Sequence, residues 1–313
     1  MPDPHPASGV GPLMPERVRP NEIEAAVRVL VRGDRAAAKR FLDYARSTRL
    51  DLEQTWVIRN PDGRIGFTAL AAPAAGRTAM VFGTRPGSKA EVAIAGRLLA
   101  AVAEGCRELG VDLAQALIDP SDALEEAMFI AGGFRRLAQL DYLERPVPRF
   151  GTIPSPELPA DVDILAWDGN RAELIELLEL TYQDTLDCPG LAGLRRTTDI
   201  LAGHLASGTR EPEWWHVLRI DGVPSGTLLF NRGSDGHSIE LVYLGLVPTA
   251  RGRGLGRTLL TYGLAALDGD ASRTVVLAVD RANHPAVGLY RRAGFRHSVR
   301  RTAMVRPLDE TLA

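Results

Sequence analysis

The sequence predicts an α/β protein in which one pattern of strands and helices is written twice. Three pairs of segments carry that reading. "WVIRNPDGRIGFTAL" (Trp56 to Leu70) and "HVLRIDGVPSGTLLF" (His216 to Phe230) each read as a strand, an Asp-Gly turn and a second strand. The short apolar runs "LAQALID" and "VVLAVD" close on Asp119 and Asp280, an offset of 161 (280 less 119), and suit buried strands. "AGGFRRLAQLDYLERP" and "RAGFRHSVRRTAMVRP" end the two halves, with Phe134 and Phe295 at the same offset.

The second copy shows the element order most clearly. A strand over 163–168 is followed by a helix over 171–182, a turn at "DCPG" and a helix over 197–206. Three strands follow in "WWHVLRI", "GTLLF" and "IELVYLGLV"; then come a helix in "RTLLTYGLAAL", a strand in "TVVLAV", a helix in "PAVGLYRRA" and a last strand. An antiparallel meander feeding a βαβ unit predicts, in each copy, a mixed, mainly antiparallel twisted sheet flanked by helices. The first copy repeats this order. The proline-rich stretch between the copies reads as a linker. The expected division is a flexible tail over 1–19, a first domain over 20–147, a linker over 148–160 and a second domain over 161–313.

Composition narrows the function. A hydrophobic content of 45% over 313 residues supports real cores, and a net charge of −2 gives no general reason to bind nucleic acid or an anionic membrane. Cys106 and Cys188 have no CxxC spacing, and His216, His237 and His284 have no ligand spacing, so neither a disulfide framework nor a metal site is expected. The start lacks the basic and apolar regions of a signal peptide, and a cytoplasmic location is the simplest expectation. Trp214 and Trp215 are expected in core or interdomain packing rather than in a ligand cage.

"ARGRGLGRTLL" (Ala250 to Leu260) sets three glycines and three arginines between a strand end and a helix start. It matches neither GxGxxG nor a P-loop. Flexible backbone and cations at a helix N-terminus suit an anion, and a pyrophosphate fits that geometry; a basic turn would read the same way in isolation. The neighbours decide. "IELVYLGLVP" before it, Arg251-x-x-Gly254-x-Gly256, its helix, the next strand and "NHPAVGLYRRAGF" (Asn283 to Phe295) follow in order, and together they resemble the GNAT acetyltransferase superfamily. The resemblance implies two tandem GNAT-like domains and acetyl-CoA as co-substrate. It also implies a pyrophosphate cradle from the backbone of Arg251, Gly252, Arg253, Gly254, Leu255, Gly256 and Arg257. The pantetheine arm would lie between two splayed strands, along Leu244, Gly245 and Leu246, with Asn283 and Ala286 at the following helix. Gly245 suggests a bulge or a close backbone approach.

Acetyl transfer to an amine needs a base, a donor for the carbonyl oxygen and a proton for the leaving thiolate. Glu240 stands eleven positions before Arg251, where several members of the superfamily carry a base, and partial burial on its strand is expected to raise its pKa. A carboxylate near a strand start can equally be a solvated residue. The resemblance assigns Tyr290 to protonation of the sulfur and a backbone N–H near Leu246 to the oxygen; the alternative for Tyr290 is packing. The segment "LTYQDTLDCPGLAGLRR" is implied to line the acceptor pocket, with Tyr182, Asp184 and Asp187 as candidates; an aspartate there can also simply cap a turn. The acceptor is expected to be a small-molecule amine, and the chain a monomer or homodimer.

The first copy lacks this equipment. Phe129 stands opposite Tyr290, Asp122 opposite Asn283, and Glu91, Val92 and Ile94 opposite Arg251, Gly252 and Gly254. Chemistry is therefore expected in the second copy alone. The tandem arrangement is also similar to the mycothiol synthase family, which acetylates an amino sugar. The missing first cradle, and Ala278 where an aromatic contact is expected, depart from that family and leave the acceptor open. A non-catalytic acyl-CoA sensor is the remaining alternative.

Overall fold

The computed structural model describes residues 14–33, 35–47, 50–148, 151 and 153–309. Most of the expected tail (1–13) lies outside the described residues, as do 149, 150 and 152 of the expected linker. The remainder forms two compact units.

The first unit starts with β1 (Glu16–Arg17), which pairs antiparallel with β2, so this part of the expected tail is strand. Then come α1 (Ile23–Leu30), α2 (Arg35–Ser47), β2 (Thr55–Arg59), β3 (Ile65–Ala74), β4 (Thr78–Gly83), α3 (Lys89–Glu108), β5 (Leu113–Ile118) and α4 (Ala123–Ala131). Its core gathers Ala95, Leu98, Leu99, Val102 and Cys106 of α3 over Ala69, Ala71, Ala79 and Val81 of the sheet. Gly96 lets α3 approach α4, since a Cβ there would stand 2.6 Å from that of Ala131.

The second unit follows the predicted order closely. It holds β7 (Val162–Ala166), α5 (Arg171–Tyr182), α6 (Thr197–Ala206), β8 (Thr209–Ile220), β9 (Val223–Arg232), β10 (Ser238–Leu246), α7 (Leu255–Ala265), β11 (Thr274–Asp280) and α8 (His284–Arg292). α5 begins where Asn170 accepts from the Glu173 N–H at 3.2 Å, and it buries Leu174, Leu177, Leu178 and Thr181 at helical spacing. β9 is buried along seven consecutive residues, as a strand covered on both faces must be. α7 lies close on it: a Cβ at Gly263 would meet Leu228 at 2.7 Å and Phe230 at 3.0 Å. Trp215 is fully buried, donating to Phe230 O and Asn231 Oδ1, and Trp214 is 5% exposed, so both are core residues as expected.

The last strand of each copy departs from a single cut through the linker. β6 (Arg135–Pro146) belongs by sequence to the first copy, yet from Leu137 onward it lies in the second unit, antiparallel to β11 from Thr274↔Pro146 to Asp280↔Leu140. β12 (Arg296–Pro307) belongs to the second copy, yet from Met304 onward it lies in the first unit. There Met304 and Leu308 join the core, and the Leu308 N–H donates to Asp112 O at 2.8 Å. The strand order is β1–β2–β3–β4–β5–β12 in the first unit and β12–β6–β11–β10–β9–β8–β7 in the second. Within the second unit Arg145 of β6 donates to Ala293 O at 2.6 Å, at the end of α8, and Arg300 of β12 to Asp141 of β6 at 2.6 Å.

Candidate active site

The site of the second unit begins with a strand that leaves its neighbour. β10 pairs parallel with β11 only at Ser238, Ile239 and Glu240. Val242 is then an extra residue against β9, where the register steps from Leu241↔Phe230 to Tyr243↔Leu229. Such a bulge bends and twists its strand, and β10 parts from β11 just beyond Glu240. Gly245 is not the bulge. It makes room for Tyr243, whose ring and hydroxyl would stand 2.5–2.8 Å from a Cβ at that position.

The gap is a cleft of about 660 Å³. One wall is Leu241 to Leu246, and another is Pro285, Ala286, Leu289 and Tyr290 of α8. Val247 N–H donates to Ser225 O on the β9 side. Alternation along an extended strand then turns the N–H groups of Leu244 and Leu246 to the edge that β11 has left.

The arginine and glycine stretch closes one end. Gly252 and Gly254 have φ of +74° and +81°, which disfavour any side chain, and a Cβ at either would meet nothing within 4 Å. Gly254 O accepts from the N–H groups of Arg257 and Thr258, so the N–H groups before them have no acceptor within α7 and point outward from its start. Arg257 and Arg292 bring exposed guanidinium groups to the same cleft.

The Arg251 side chain is engaged within the protein. Its guanidinium donates to Leu246 O at 3.0 Å, Thr181 O at 2.9 Å, Gln183 O at 2.7 Å and Asp184 O at 3.1 Å. It ties the end of β10 to the loop after α5, and Arg251 borders the cleft. Arg253 pairs with Asp161 at 3.0 Å and Leu255 is in the core, so neither side chain lines the cleft. The other expected cofactor positions do line it: Leu244, Gly245, Leu246, Gly252, Gly254, Gly256, Asn283 and Ala286.

Tyr290 is buried against Phe295, with ring centroids 5.8 Å apart, and borders the cleft. Burial, with the nearby Asp187 carboxylate, holds its phenol well above the usual range, so it stays an O–H donor. Glu240 does not border the cleft: it precedes the splay, and its carboxylate accepts from Ser207 Oγ at 2.8 Å. Tyr182 also turns inward, toward His204 Nε2 at 3.5 Å and the ring of Tyr243 at 5.4 Å.

Asp184 and Asp187 do face the cleft. Asp187 Oδ1 accepts from the Asp280 N–H at 2.8 Å, and Asp280 Oδ2 accepts from the Cys188 N–H at 3.2 Å. This exchange staples the loop to the end of β11. The loop contains two non-glycine residues in the left-handed region, Asp184 at φ +51° and Cys188 at +46°. Burial pushes the Cys188 thiol up to about 12, so it is no ready nucleophile. Sequence reasoning missed Arg292, Pro285 and Leu289. Helical spacing was the signal available: Leu289 is three residues after Ala286, Pro285 four before Leu289 and Arg292 three after it. Among the described residues no three His, Cys, Asp or Glu side chains gather as metal ligands would, and no helix is long and apolar enough to cross a membrane.

The first unit has the same frame without the cradle. Asp122 caps α4 as Asn283 caps α8, and Phe129 packs on Phe134 at 5.1 Å as Tyr290 packs on Phe295. Glu91, Val92 and Ile94 stand not in a glycine loop but inside α3, which starts at Lys89. The Glu91 carboxylate turns back to accept from the Gly87 N–H at 2.6 Å, supplying an internal anion at that helix start.

Comparisons with known proteins agree with this geometry. The model of the acetyltransferase (GNAT) family matches residues 176–295. The chain is 39% identical over 97 residues to a mycothiol acetyltransferase of Acidothermus cellulolyticus, covering 30% of this chain and 29% of that one. It is 30% identical over 210 residues to that of Frankia alni, covering 59% and 60%. These matches thus span less than two thirds of the relatives' length. A GCN5-related N-acetyltransferase structure from Sphaerobacter thermophilus superposes with a TM-score of 0.60 at 20% identity, covering 94% of this chain and 95% of that one. A tandem GNAT protein from the clavulanic acid biosynthesis pathway gives 0.52 at 20% identity, covering 95% and 98%. At that identity the likenesses establish fold. Residues 176–295 are therefore similar to the acetyltransferase (GNAT) family, and the fold is shared with a tandem GNAT protein.

Proposed function

We propose that this chain moves an acetyl group from acetyl-CoA to the amine of a small molecule, with binding and chemistry confined to the second unit. The observation that carries the proposal is the contrast between the two equivalent helix starts. α7 opens on two left-handed glycines with outward N–H groups, whereas α3 is wound through the same positions, with the Glu91 carboxylate turned back to the Gly87 N–H.

In this reading the N–H groups at the start of α7, with Arg257 and Arg292, hold the pyrophosphate. The free edge of β10 at Leu244 and Leu246 accompanies the extended arm, and the Leu246 N–H meets the thioester oxygen as charge develops there. Tyr290 donates its phenolic proton to the departing sulfur. Asp184 and Asp187 give the acceptor side a negative potential that draws an ammonium group. The curated relatives support a narrower version, in which the acceptor is an amino sugar like that of the mycothiol acetyltransferases.

Calorimetry tests the donor half. One acetyl-CoA per chain is expected, with binding lost in Gly254→Val. Two sites would refute the confinement to one unit, and none would refute the function. A panel of amines that includes glucosaminyl-inositol compounds then separates the general acceptor from the narrower one.

A further inference from the structure

The proposed reaction needs a proton acceptor, and the carboxylate expected to supply it, Glu240, is turned to Ser207 outside the cleft. We propose that Asp187 takes that role: its carboxylate, held by the Asp280 amide at the cleft wall beside Tyr290, receives the proton of the incoming amine. The inference rests on the acetyltransferase reading of this cleft.

Four observations carry it. Asp187 lies at the same cavity as Tyr290 and the start of α7. Its orientation is fixed, because Oδ1 is occupied by the Asp280 N–H and its own N–H donates to Thr185 Oγ1 at 3.1 Å. Asn283, whose Oδ1 caps α8, hydrogen-bonds the same carboxylate through its side chain. The loop that presents Asp187 holds Asp184 and Cys188 in the left-handed region, a cost of order 1 kcal/mol each that persists where surroundings over-determine it and that clusters at functional sites.

Its environment suits a base. Asp187 keeps an open face to the cleft while protein surrounds the rest of it, and burial holds its carboxyl above the usual carboxylate range. Asp280 on β11 acts in the same direction, while the Asp280 amide and Asn283 oppose it. The other titratable groups around it are Cys188 on its own loop, Tyr182 at the end of α5, Tyr243 on β10 and Tyr290 on α8. The cations of the cleft are Arg251, Arg257 and Arg292.

The step balances. Asp187 takes one proton from the ammonium and later yields it to solvent. The freed lone pair forms the C–N bond as the C–S bond breaks, and the electron pair leaves with sulfur. Sulfur gains a proton from Tyr290, and the acylated nitrogen loses its surplus proton, which restores the phenol.

The test compares Asp187→Asn with Glu240→Gln on acetyl transfer to the best amine of the panel, from pH 5 to 9, with acetyl-CoA affinity measured alongside. An asparagine can keep the Oδ1 acceptor for the Asp280 amide. We expect Asp187→Asn to lose about 100-fold or more in kcat and the acid limb of the profile, with acetyl-CoA affinity within twofold of wild type. Added formate should restore part of the rate to Asp187→Ala, which a purely structural role would not allow. Asp187→Asn within threefold of wild type, an unaltered acid limb, or transfer of both losses to Glu240→Gln would overturn the assignment. Absence of transfer in wild type with intact acetyl-CoA binding would instead overturn the acetyltransferase reading on which it rests.

Discussion

Acidification should destabilise the second unit through two histidines. His204 on α6 stacks on Tyr243 at 5.6 Å, and His216 on β8 meets the ring of Tyr262 at 5.1 Å and is 4% exposed. Burial lowers both from 6.5 to about 4, with Arg195 adding to the effect at His204. A histidine lowered on folding contributes its stability above the unfolded value, and that contribution is lost as pH falls from 6.5 toward 4. Each imidazole would then give up about 3 kcal/mol in full, and about 1.4 kcal/mol already at pH 5.5. The pair together removes nearly 3 kcal/mol between pH 7.5 and 5.5, which corresponds to roughly 6–12 °C in Tm for a unit of this size. The assay is thermal unfolding across that range in the wild type and in a His204→Phe, His216→Phe double variant. If the double variant loses as much stability as wild type on acidification, the reasoning is wrong.

Three further outcomes follow from the site. Arg251→Ala removes a guanidinium shared among four carbonyl oxygens and should cost about 2–4 kcal/mol by urea unfolding, with Arg251→Lys failing to restore it because an ammonium cannot span them. Gly245→Ala must displace Tyr243 and break its 2.8 Å contact with Thr181; a loss of about 1–3 kcal/mol is expected, read as a lowered urea midpoint. Tyr290→Phe should keep its packing on Phe295, as Phe129 keeps it on Phe134, and retain acetyl-CoA affinity while kcat falls about 100-fold in steady-state assays.

Local signals made most of the fold legible. Apolar spacing within 171–182 defined α5, the run "PAVGLYRRA" defined α8, and the repeated Asp-Gly turns marked β2–β3 and β8–β9. The cradle was legible because glycines with positive φ leave a trace in composition. What stayed hidden depends on partners far apart in the chain. No local pattern records that β6 would lie against β11, since the apolar alternation of an internal strand suits several neighbours equally. Position eleven before Arg251 marked Glu240 as a base, yet β10 still pairs with β11 at Glu240 and lines the opening only from Leu241 onward. The use of the Arg251 side chain stayed hidden because the carbonyls that consume its donors come from residues 181–184 as well as from Leu246.

The exchange of final strands separates the unit of inheritance from the unit of folding. Cutting the chain within 148–160 would give two fragments that each lack the strand the other carries, so Leu137–Pro146 would be missing from the fragment with the candidate cleft. The severed halves should behave as complementing fragments, inactive apart and recovered on mixing. A duplicated gene of this form resembles a strand-swapped dimer whose two chains have been joined end to end. Deleting the first copy would therefore also remove the strand that lies beside β11 in the second unit.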